Sequence, residues 1–157
     1  MVRKLVIVVF LLAVVAIVFG GVFIAQGVSK NAQLREAMRV EHITLSIEVG
    51  EVEKGEVIDS AKEAQIAGDT VKEHRHGIAP TYGDLLGGKK FDATNPQQLT
   101  YAQALNLENY LYLAVMGFGL TQSVIASGVF MIVTGIALIA TGLALLGLAR
   151  KSATSSA

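Results

Sequence analysis

Two long apolar blocks flank a polar middle in this chain. Leu5 to Ala25 contains no polar residue, which matches the roughly 20 residues a helix needs to cross a hydrocarbon core about 30 Å thick. The run exceeds the roughly 7–15 residues of a signal-peptide core, and no A-x-A-like cleavage site follows it, so a retained span is expected. The second block has no charged residue between Glu108 and Arg150. At about 1.5 Å per residue it would reach roughly 60 Å as one helix. Ser127-Gly128 is its only plausible turn and carries neither charge nor Pro, so a single helix is expected. Gly128 to Leu148 is then placed in the bilayer, with Asn109 to Ser127 as an apolar extension beyond it.

Small residues recur at every seventh position in both blocks: Ala13, Gly20 and Gly27 in the first, Gly128, Gly135 and Gly142 in the second. Lipid tails are as apolar as Leu, so membrane helices associate through close backbone approach at small residues and through hydroxyl hydrogen bonds. Thr134 and Thr141, each preceding a seam glycine, are candidates for those hydroxyl bonds. A seven-residue repeat favours a left-handed crossing. In an antiparallel pair, partners whose numbers total 155 set Ala13 opposite Gly142, Gly20 opposite Gly135 and Gly27 opposite Gly128. Carried outward, the same register sets Leu34 opposite Thr121 and Met38 opposite Gly117, and inward it sets Lys4 opposite Lys151.

Between the blocks the period changes. Val28, Leu34 and Met38 have helical spacing, which extends the first helix to about Arg39. Ile43, Leu45, Ile47 and Val49 alternate with Thr44, Ser46, Glu48 and Gly50, which predicts a short strand. Ser60-Ala61-Lys62-Glu63 is a capping box opening a helix from about Ala61 to Glu73, with Ala64, Ala67 and Val71 on one side. His76 to Asn95, with its glycines and the Lys89-Lys90 pair, reads as a long loop. Asn95-Pro96-Gln97-Gln98 opens a helix with Asn at the N-cap and Pro at its first position. No stop follows before about Ala149, although a bend near Gly117-Phe118-Gly119 is expected.

Composition agrees with a small membrane protein: of 157 residues, 52% are hydrophobic and 17% charged. All thirteen acids and nine of the thirteen bases lie between the two spans, so the middle is net −4 and the tails together +4. Short basic tails stay in the cytoplasm, which places both termini inside and residues of about 28–108 outside a bacterial cytoplasmic membrane. There is no cysteine, so no disulfide supports the middle region. The expected organisation is 1–27 tail and first span, 28–108 extension and cap, 109–149 apolar helix with the second span, and 150–157 tail.

Candidate chemistry is sparse. Neither span carries an ionisable group, which argues against ion-coupled transport by this chain alone and against haem ligation within the bilayer. His42, His74 and His76 are weak metal candidates. The last two sit at an expected helix end, where the dipole favours a cationic His, so a capping role is the better reading. No nucleophile–base spacing or phosphate-cradling loop stands out, and no cofactor is expected. Tyr110, Leu111, Tyr112, Val115, Met116, Phe118 and Leu120 go nearly all round the helix above the second span. A small cap is not expected to cover every side, which makes this segment a candidate partner interface.

With Leu34-Arg35-Glu36-Ala37-Met38-Arg39-Val40-Glu41-His42-Ile43-Thr44, the Ala-rich segment from Ala61 to His74, and Ala114-Val115-Met116-Gly117 entering the last span, the chain resembles a group of small bacterial two-span membrane proteins of unknown function. These often carry the label aromatic ring-opening dioxygenase. Such chemistry needs an iron site, and the three His offer no facial-triad arrangement. The expectation is therefore a mainly α, non-catalytic membrane protein. It would be an antiparallel transmembrane hairpin with long helical extensions and a small extracytoplasmic cap containing a strand and a helix. Its expected partners are the lipid bilayer and other membrane subunits or itself, with no nucleic acid. The alternative is an extracytoplasmic binding or sensing module with its ligand in the Gly77 to Asn95 loop.

Overall fold

The computed structural model describes residues 2–45, 48–50 and 52–154. Four helices account for most of them: α1 (Val2–Glu41), α2 (Ala61–Ile78), α3 (Tyr82–Leu86) and α4 (Pro96–Thr154). α1 and α4 are both long and apolar enough to cross a membrane. α4 runs unbroken through Gly117-Phe118-Gly119. The chain forms two compact units, one of residues 1–30 with 121–157 and one of residues 31–120.

In the first unit the buried positions of α1 are Val6, Ala13, Gly20 and Gly27, and those of α4 are Thr121, Gly128, Gly135 and Gly142. Both sets repeat every seventh residue, as the small-residue pattern predicts. The register differs from expectation. A Cβ added at Gly20 would lie 2.7 Å from the Gly128 carbonyl oxygen, and one added at Gly128 would lie 2.6 Å from that of Gly20. Gly135 lies against Ala13 and Ile17, Gly27 against Thr121 and Ile125, and Gly142 against the ring of Phe10. The carbonyl contacts follow numbers that total 148, one heptad away from the expected 155. The large side chains supply the reason. Each seam glycine also takes a bulky neighbour from the facing helix, with Ile132 on Gly20, Ile24 on Gly128 and Ile17 on Gly135, so isoleucines fill the gaps between glycine crossings.

The hydroxyls do not follow the expectation either. Thr134 Oγ1 donates to the Phe130 carbonyl at 2.8 Å and Thr141 Oγ1 to the Ala137 carbonyl at 2.9 Å, both within their own helix. A carbonyl one turn back is the nearest acceptor for a helical Thr, and Thr141 faces outward in any case. Backbone proximity and isoleucine packing hold the seam.

The second unit has its core where the end of α1, the described residues between 43 and 58, α2 and α4 meet, with Met38, Leu45, Val52, Ile58, Ala64, Ala67, Leu111, Ala114 and Phe118 buried together. Leu34 packs on Gly117, which replaces the expected pairing of Leu34 with Thr121. The strand expected over Ile43 to Gly50 includes Ser46 and Ile47, which lie outside the described residues. Among the described residues, pairing is confined to isolated antiparallel bridges, Thr44 with Val57 and Val49 with Val52. Gly50 and Gly55, both at positive φ, turn the chain at those positions.

The capping box forms as the motif predicts: Ser60 Oγ accepts from the Glu63 N–H, and the Glu63 carboxylate accepts from the Ser60 N–H. α2 continues to Ile78, beyond the expected end at Glu73. Asn95 caps α4 by accepting from the N–H groups of Gln97 and Gln98.

The seam generates a sharp contrast between adjacent glycines. Gly20→Ala drives a methyl into a backbone oxygen and should destabilise the chain in mild detergent by about 1–3 kcal/mol, the range for overpacking. Gly21→Ala meets open space and should be neutral or slightly stabilising, because Ala is the better helix former. Thermal unfolding of the two variants distinguishes these outcomes, and equal shifts would contradict the seam.

Candidate functional site

α2 presents Ala64, Ala67 and Gly68 to α4, and these small residues bring the helices close enough for polar groups to meet across them. A Cβ at Gly68 would lie 3.0 Å from the Tyr112 ring. Over that contact the Tyr112 hydroxyl donates to Asp69 at 2.7 Å. Burial, reinforced by this bond, pushes the Tyr112 phenol up to about 12. Gln65 first, and Tyr112 second, hold the Asp69 carboxyl below its ordinary value.

Two turns further along α2, Arg75 enters the unit's interior. Its Nε donates to Glu108 at 2.6 Å and its Nη2 to the other carboxylate oxygen at 3.3 Å, a two-pronged pair in which both residues are buried. Nη1 donates to the Tyr101 hydroxyl, and the guanidinium stands 4.8 Å from the centre of the Tyr101 ring. Tyr82 of α3 packs on Tyr101 at 6.1 Å between ring centres. The bond to Glu108 raises the Arg75 pKa against the opposing effect of burial, so the guanidinium stays charged. This arrangement is a clamp between α2 and α4. It was hidden in the sequence because Arg75 reads as one more cation in Glu73-His74-Arg75-His76, and Glu108 as the last charge before an apolar block.

The histidines are placed separately. His42 has φ +48° just past the end of α1, with its N–H bonded to the Arg39 carbonyl. His74 is exposed, and His76 Nε2 lies 3.2 Å from Arg75 Nη2 in the last turn of α2. Among the described residues no group of three His, Cys, Asp or Glu side chains could hold a metal ion.

The candidate interface divides in two. Leu111 and Phe118 belong to the core, while Val115 and Tyr112 are partly covered. Met116 and Leu120, joined by Leu113, remain 65–70% exposed, at the spacing of one helix face. The loop from Gly77 to Asn95 is more ordered than its composition predicts. It contains the end of α2, α3 capped by Thr81, and a turn through Gly87 and Gly88 at positive φ.

An open cleft of about 350 Å³ lies elsewhere, between the end of α1 and one face of α4. Glu41, Ile43, Gln103, Asn106, Leu107 and Tyr110 line it, the last four at the i, i+3, i+4, i+7 positions of a helical stripe. Burial first, and Glu41 second, raise the Tyr110 phenol above its ordinary value. Sequence reading passed over this site because its residues belong to segments about sixty positions apart.

The chain is thus a mainly helical protein with two helices long and apolar enough to cross a membrane. No protein-family model, curated protein or solved structure matches it.

Breaking the clamp from one side strands a buried charge. Arg75→Leu or Glu108→Leu alone should cost about 3–5 kcal/mol in chemical unfolding, and the double variant should cost well under their sum. Additive losses would show that the two charges act separately. Because the Tyr112 pKa is raised on folding, its contribution is complete below about pH 10 and is lost as pH rises toward about 12. Phenolate absorbance should show a Tyr component titrating toward about 12 that shifts down in Asp69→Asn. A titration unchanged by that substitution would exclude the Asp69 contribution.

Proposed function

We propose that this chain is a non-catalytic integral membrane protein, anchored as an antiparallel hairpin in a bacterial cytoplasmic membrane, that serves as an accessory or scaffold subunit of a larger assembly or as a homo-oligomer. The observation carrying the membrane part is exposure: only 17% of the most apolar stretch of α1 and 11% of that of α4 are buried inside the protein. A core helix of a soluble protein would be mostly covered. Here Leu11, Val14, Val18, Phe19, Phe130, Val133 and Ile136 point outward, and lipid is the solvent that suits them.

The register refines the placement. Pairing by totals of 148 puts residues 123–143 beside Leu5 to Ala25, rather than 128–148. Gln26 and Gln122 then fall at the same level and mark the outer edge, and the basic pairs Arg3-Lys4 and Arg150-Lys151 keep both tails inside. Residues of about 28–108 are outside in this reading.

The scaffold part rests on Leu113, Met116 and Leu120, an exposed apolar face on α4 that the cap core leaves uncovered. No ionisable group in either span suggests transport.

Because the chain has no native cysteine, topology can be read from single cysteines. Lys54→Cys should react with a membrane-impermeant thiol reagent in intact cells, and Ala157→Cys only after permeabilisation; the reverse pattern would overturn the orientation. Gently extracted protein should run larger than a monomer, and Met116→Gln combined with Leu120→Gln should reduce it to one. A monomeric wild-type chain would rule out the scaffold reading.

A further inference from the structure

The cleft between the end of α1 and α4 has a chemistry that the scaffold reading does not use. Glu41 is an acid at the C-terminal end of a 40-residue helix, where the dipole disfavours negative charge. Two other acids of the same unit are ion-paired, Asp59 with Arg39 and Glu108 with Arg75. Among the described residues, no side-chain hydrogen bond or ion pair engages Glu41, Gln103, Asn106 or Tyr110. Glu41, Gln103 and Asn106, all open to solvent, and the half-buried Tyr110 line one cleft around the apolar surface of Ile43 and Leu107, so a ligand there meets polar groups that no side chain already engages. The Glu41 carboxylate and the carbonyl end of α1 both put negative charge at the cleft.

We propose that this cleft binds a small molecule bearing a primary ammonium group on a short apolar tail. A primary ammonium has three N–H donors, and the Glu41 carboxylate with the two carboxamide oxygens of Gln103 and Asn106 offers acceptors for all three. The Tyr110 ring adds a cation–π face, and Ile43 with Leu107 receives the tail. A bare divalent cation is a poorer match, since Ca²⁺ takes 6–8 oxygens and the cleft has one carboxylate. A quaternary ammonium could use the ring but has no N–H to give the amides. The inference concerns residues 41–110 and does not depend on the scaffold role.

Isothermal titration of n-butylammonium into the full chain in detergent micelles, with empty micelles as blank, tests it. Saturable binding in the millimolar range or tighter is expected. Tetramethylammonium should bind at least tenfold more weakly, and n-butanol should show no saturable binding. Glu41→Gln should weaken n-butylammonium binding at least tenfold while leaving the unfolding temperature unchanged, because Glu41 is exposed. Should that variant misfold, Gln103→Leu with Asn106→Leu serves instead, with the same expected loss. The proposal is overturned if n-butylammonium does not saturate, if n-butanol binds equally well, or if a folded cleft variant binds as the wild type does.

Discussion

The close approach of two helix backbones at Gly20 and Gly128 is the constraint on which the apolar unit depends. With added Cβ atoms falling under 3 Å from the facing carbonyls, the crossing accepts no side chain at either position. In water, helices associate to hide apolar surface; in lipid that gain disappears, and contact has to come from atoms that fit. Glycine every seventh residue keeps the same faces in contact along the pair, and isoleucines from the opposite helix occupy the spaces between crossings. A hydroxyl network was the other available device, but Thr134 and Thr141 bond to carbonyls of their own helix.

The second unit is held by a different logic. Its core is small, made of Met38, Val52, Ile58, Leu111 and Phe118 with alanines of α2, and irregular backbone supplies part of it. α2 lies close to α4 because Ala64, Ala67 and Gly68 are small, and the Arg75–Glu108 pair and the Tyr112–Asp69 bond then fix its position. A buried ion pair adds little net stability over a well-packed apolar pair, but once present it strongly penalises arrangements that separate the charges. Specificity in the placing of α2 is the physical consequence.

Local signals in the sequence predicted local structure well. The Ser60–Glu63 box, the Asn95-Pro96 start and both apolar helices are features whose cause lies within a few residues. The heptad identified the buried face of each long helix, but a pattern with period seven is unchanged by a shift of seven. Nothing in the spacing of Ala13, Gly20 and Gly27 distinguishes a total of 155 from one of 148, and only the side chains between them settle it. The strand reading of Ile43 to Gly50 weighed alternation without a partner of matching length, and among the described residues the pairing is limited to single bridges. Arg75 with Glu108, and the lining of the cleft, depend on contacts between distant segments, for which one sequence has no local signature.

The account centres on that seam, and a disulfide crosslink in native membranes is its most direct test. The Ile17 Cγ1 atom lies 2.6 Å from where a Cβ on Gly135 would stand. With no native cysteine to interfere, the pair Ile17→Cys and Gly135→Cys should form a disulfide within the chain under mild oxidation. The pair Gly20→Cys and Gly135→Cys, which the other register brings together, should not. Crosslinking of the second pair in preference to the first would contradict the seam.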